Sequence, residues 1–100
     1  MGRADFSDVL GEFQEFGPRR SIPVDVRWRE RFPGASAEEL QAWATRCKLI
    51  EAAAWDLAEG VIAGRLRENA AKAELGHKFP ELDPDRIGKT IAQALYFASK

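Results

Sequence analysis

The side chains with the most chemistry to offer are five arginines in one short segment: Arg19, Arg20, Arg27, Arg29 and Arg31. A guanidinium fork grips phosphate or carboxylate oxygens two at a time. Trp28 and Phe32 are interleaved with the arginines, and aromatic rings stack on exposed bases. These residues make a candidate nucleic-acid or anion contact. A simpler reading competes with it, in which the arginines pair with acidic neighbours and Trp28 belongs to the core. The charge layout serves both. Residues 1–17 set Arg3 against Asp5, Asp8, Glu12 and Glu15, a net of −3, and residues 18–35 set the five arginines against Asp25 and Glu30, a net of +3. The whole chain carries −1, so it has no global pull toward nucleic acid or an anionic membrane.

Other constellations are weaker. Glu74 and His77 form an E-x-x-H pair. Di-iron helix bundles use two such pairs and two further glutamates, whereas this chain has one pair, beside Gly76. Cys47 and His77 could act as nucleophile and base only if the fold brought them together. Cys47 lies on an apolar helix face, a setting in which a thiol is inert. Gly88-Lys89-Thr90 echoes the end of a phosphate-binding loop. Asp83 stands where that motif needs its first glycine, and no strand leads in. Asp83 and Asp85 read as capping residues rather than a metal pair. The sequence therefore predicts no catalytic residues, no metal and no cofactor.

The element that must position these groups begins at Ser36. Ser36 and Glu39 have the spacing of a capping box, in which each side chain satisfies the other residue's backbone N–H. Apolar residues then follow at Leu40, Trp43, Cys47, Ile50, Ala54, Leu57 and Val61. Steps of three and four alternate, so the mean period is about 3.5, that of a helix packed lengthwise on a partner. Gly60 and Gly64 each weaken a helix by about 1 kcal/mol relative to Ala. The helix either breaks near them or runs on to about Leu75, with Gly76 and Pro80 ending it.

Around this helix the chain reads as helical too. Phe6, Val9, Leu10 and Phe13 make a short amphipathic helix within residues 5–16, capped by Asp5 or Ser7. Residues 24–32 fit two patterns. Val24, Val26 and Trp28 alternate as in a strand, while Val24, Trp28 and Phe32 recur as in a helix. A lone strand would have no partner, which favours the helix, stopped by Pro33-Gly34. The last helix opens at Asp83-Pro84, a capping residue before a proline at the first helical position. Ile87, Ile91 and Leu95 form its apolar side.

Apolar residues are 45% and charged residues 31% of the 100, the balance of a globular chain rather than a disordered one. The expected fold is all-α, a small compact bundle of three to five helices with one long central helix, forming a single domain over residues 1–100. Its expected core is Phe6, Leu10, Phe13, Trp28, Phe32, Leu40, Trp43, Cys47, Ile50, Leu57, Ile62, Leu66, Ile87, Ile91 and Leu95. Cys47 is the sole cysteine, so no intrachain disulfide can form. The opening residues lack a signal-peptide pattern, and no apolar run is long enough for a membrane span. Phe6 stands where a myristoylation signal needs Ser or Thr. A cytoplasmic protein is expected.

The function expected is that of a non-enzymatic adaptor or regulatory module. It would act through protein–protein contacts and associate as a homodimer, the commonest closed assembly. Three Trp, six Phe and one Tyr are a generous apolar supply for short helices. Trp55 flanks the seam, and Tyr96 and Phe97 turn partly away from the last helix's apolar side. Gly60 and Gly64, with Ala52 and Ala53, would let a second helix come close. Trp55, Gly60, Gly64, Tyr96 and Phe97 are the candidate interface. The alternative is a nucleic-acid-binding accessory protein that uses the 19–31 arginines.

Overall fold

The structure, a computed structural model, describes residues 5–15 and 21–99. Five helices follow one another: α1 (Phe6–Phe13), α2 (Val24–Arg31), α3 (Ala37–Ile62), α4 (Glu68–Lys78) and α5 (Pro84–Ala98). No strand occurs among the described residues. The fold is all-α with one long helix, as the periodicity predicts, and residues 24–31 are helical.

The helix starts follow local chemistry. The Asp5 carboxylate accepts from the Ser7 backbone N–H at 2.8 Å. Ser36 Oγ accepts from the Glu39 N–H at 3.1 Å, and Glu39 Oε1 accepts from the Ser36 N–H at 3.0 Å. The capping box thus closes in both directions. Asp83 Oδ1 accepts from the Arg86 N–H at 2.7 Å, with Pro84 in the first turn.

The long helix does break. Gly64 has φ +80°, in the left-handed region. Its N–H donates to Val61 O at 3.0 Å, and the Arg65 N–H donates to Gly60 O at 2.9 Å. These two bonds are the Schellman pattern, which satisfies the last carbonyls of a helix and favours glycine at the turning residue. Gly76 does the opposite of what was expected: it lies inside α4, and the helix continues to Lys78. A Cβ on Gly76 would sit 2.9 Å from Ile87 Cδ1 of α5. The missing side chain serves close packing of α4 on α5 rather than a helix stop.

The chain divides into two compact units, Met1–Cys47 and Lys48–Lys100, with the boundary inside α3. In the first unit α1 packs on α2, and Trp28 is the centre at 1% exposure. Its ring stacks on Phe13 at 6.3 Å between centroids and meets Trp43 edge-on at 5.6 Å. Phe32 meets Trp43 edge-on at 5.4 Å. Each such pair contributes about 0.5–1.5 kcal/mol beyond its buried area. Val9, Leu10, Leu40 and Cys47 are buried here too.

In the second unit α4 packs on α5. Ile50, Ala54 and Ala58 of α3 are fully buried, as are Ala71, Leu75 and Ile91. Phe79 and Leu82, in the turn between α4 and α5, add to this core and were not among the expected residues. The seam of α3 holds at Leu40, Cys47, Ile50 and Ala54. Trp43, Leu57 and Val61 on the same seam are half-buried. Phe6, Phe13, Phe32, Leu66, Ile87 and Leu95 are half-buried as well. Ile62 departs from expectation and is exposed. It stands one residue past Val61, about 100° further round a helix with 3.6 residues per turn, which turns it away from the buried face.

Candidate functional site

The arginine segment meets the C-terminal end of α1. That helix has no basic residue in its last turn, and its final carbonyls need donors. Arg27 of α2 supplies one, at Glu12, whose carbonyl also accepts from the Glu15 N–H at 3.2 Å. The Arg27 side chain is 5% exposed, its Nη1 donates to the Glu12 backbone carbonyl, and its Nε donates to Ile22 O at 2.9 Å. Nη1 also stands 3.5 Å from the Glu12 carboxylate. A cation here faces the negative end of the α1 dipole. Arg31, one turn on, lies 3.1 Å from Glu12 Oε2 and 3.3 Å from Asp8 Oδ1. Trp28, between them in sequence, donates from Nε1 to Val9 O at 3.0 Å. Three side chains of α2 thus bind α1 through its carbonyls and carboxylates.

This arrangement separates the arginines. Arg27 and Arg31 face acidic and carbonyl groups of α1. Arg29 is exposed and pairs only loosely with Asp25 on its own helix, at 3.7 Å. Arg19 and Arg20 lie outside the described residues. Trp28 is in the core, as the simpler reading had it, and Phe32 is half-buried against Trp43.

The candidate interface residues also part company. Trp55 is exposed on α3, and Tyr96 and Phe97 are exposed on α5. The Tyr96 and Phe97 rings meet edge-on at 5.4 Å, so they form one aromatic patch. Gly60 is buried and faces Leu66 of its own chain, whose Cβ would lie 3.7 Å from an added methyl. Gly64 is exposed and is the turning residue of the helix end. Leu49 and Ile62 were missed and stand out at 54% and 51% exposure. A sequence signal for Trp55 and Ile62 existed. Lys48, Ala52, Trp55, Glu59 and Ile62 step by four, three, four and three, a second heptad stripe on the same helix. All five are exposed.

The remaining constellations are placed as follows. Glu74 and His77 are both exposed on α4. Among the described residues no three or more His, Cys, Asp or Glu side chains gather as a metal site would need. Cys47 is a fully buried thiol. Gly88-Lys89-Thr90 lies in mid-helix, with Lys89 paired to Asp85 at 3.2 Å and Thr90 Oγ1 donating to Arg86 O at 2.7 Å. That is helix-surface and core packing rather than a phosphate cradle. No helix among the described residues is long and apolar enough to cross a membrane. The chain matches no protein-family model, no curated protein and no solved structure.

Proposed function

We propose that the protein is a small non-enzymatic adaptor or regulatory module of the cytoplasm that works through protein–protein contacts and associates with a second copy of itself. One observation carries this. Within the second unit, Leu49, Trp55, Ile62, Tyr96 and Phe97 are each 40–54% exposed. Single exposed apolar residues are ordinary on a protein surface. Five large ones on 53 residues, two of them ring against ring in one patch, are apolar area that contact with a protein partner would cover. The buried thiol of Cys47 suits a reducing compartment. Light scattering over a tenfold range at micromolar concentration tests the self-association. A mass rising toward twice the 11.2 kDa of one chain is expected, and a mass that stays at 11.2 kDa overturns it.

A second reading, nucleic-acid binding through the arginine segment, draws on one observation: Arg29 and Arg31 keep about half of their side-chain surface in solvent. Binding to a mixed DNA and RNA pool at low salt, weakening as salt rises, would support it. No binding at low salt would end it.

A further inference from the structure

We propose that the second copy docks through the exposed stripe of α3, antiparallel and about a two-fold axis that passes between Ala52 and Trp55. This rests on the self-association argued above and names its surface and register. Lys48, Ala52, Trp55, Glu59 and Ile62 lie along one side of the helix with heptad spacing, and each is exposed. Residues spaced this way on two helices interlock along their length. The stripe covers about 21 Å of helix at 1.5 Å per residue.

The order of side chains along the stripe selects the orientation. An axis between Ala52 and Trp55 sets each Trp55 on the partner's Ala52, a large ring over a small side chain, twice by symmetry. The same axis sets each Lys48 opposite the partner's Glu59. Neither Lys48 nor Glu59 has an ion pair within its own chain among the described residues, so both charges are available to the partner. A parallel pairing would put Lys48 on Lys48 and Glu59 on Glu59, and Trp55 on Trp55. Like charges brought together are unfavourable. The antiparallel register is the one in which Lys48, Ala52, Trp55 and Glu59 each meet a complement, while Ile62 falls opposite the partner's Thr45. One helix pair is at the small end of stable interfaces.

Charge reversal at exposed positions tests this without disturbing the core. Sedimentation at low salt should give a dimer for the native chain. Lys48→Glu alone and Glu59→Lys alone should each weaken the dimer by about tenfold or more, since each sets two like-charge contacts in one assembly. The double variant Lys48→Glu/Glu59→Lys should recover native affinity to within about threefold, because the swapped pairs attract again. Trp55→Glu should leave a folded monomer, with helicity by circular dichroism unchanged. A native dimer that the single reversals leave intact would overturn this surface and register while leaving self-association standing. A native dimer weakened by both single reversals and not recovered by the double would overturn the register. A native chain that is monomeric at every concentration would overturn both the surface and the self-association itself.

Discussion

Arg27 reaches Glu12 in two ways, donating to its backbone carbonyl and standing 3.5 Å from its carboxylate, across fifteen residues of chain. The contact caps the end of α1 from a different helix. A lysine could not do this, because one ammonium cannot span the Glu12 and Ile22 carbonyls with a rigid fork. Arg27→Ala is expected to cost about 2–4 kcal/mol, since it removes the charge-assisted hydrogen bonds that a buried guanidinium gives the Glu12 and Ile22 carbonyls. Arg27→Lys is expected to recover less than half of that loss. Urea melts check both, and a cost below about 1 kcal/mol for the alanine variant would show that the cap is not a stabilising contact.

Arg29, two residues on, should behave differently. Its partner Asp25 is as exposed as it is, and such surface pairs contribute little. Arg29→Ala is expected to change stability by less than about 0.5 kcal/mol. The variant is therefore a clean probe of nucleic-acid binding, whereas a variant lacking Arg27 would confuse binding with unfolding.

Ile50 is fully buried on the seam of α3. Ile50→Ala removes buried methyl groups and leaves a cavity, with an expected loss of about 2–5 kcal/mol. Denaturant midpoints at constant slope read the change. A loss under about 1 kcal/mol would mean that the site collapses around the smaller side chain.

The two glycines at the end of α3 should respond with opposite signs. Gly64 has φ +80°, and a Cβ in that region costs about 1–2 kcal/mol. An alanine methyl at position 60 would meet Leu66 at 3.7 Å, an ordinary contact, so Gly60→Ala should stabilise by about 0.5–1 kcal/mol through helix propensity. Thermal melts of the two variants should move in opposite directions. Equal shifts would contradict the Schellman ending.

Gly76 and Ile87 should be coupled. Gly76→Ala gains helix propensity of about 1 kcal/mol but drives its methyl to 2.9 Å from Ile87 Cδ1. Moving that terminal methyl off its rotamer costs about 0.5–1.5 kcal/mol, which nearly cancels the gain. Ile87→Val removes Cδ1. In the Ile87→Val background, Gly76→Ala should show more of the full gain, with a coupling of about 0.5 kcal/mol or more in a double-mutant cycle. Strict additivity would place the close approach elsewhere.

What the sequence by itself determined is what depends on neighbours within one turn. Ser36 with Glu39, and Asp83 with the Arg86 N–H, mark helix starts because their donors and acceptors are three residues apart. The buried face of α3 follows from its spacing, because a helix turns a fixed angle per residue. The tertiary structure decided what depends on distant partners. Residues 24–31 carry both a strand and a helix pattern, and a helix lets Trp28 lie between Phe13 and Trp43, fifteen residues away on either side. Gly76 looks like a helix stop by itself, yet Ile87 of α5 uses the space it leaves. The arginines were the least legible of all. A guanidinium suits a phosphate or a carboxylate equally well, and nothing local announces that Glu12, fifteen and nineteen residues before Arg27 and Arg31, is the group that meets them.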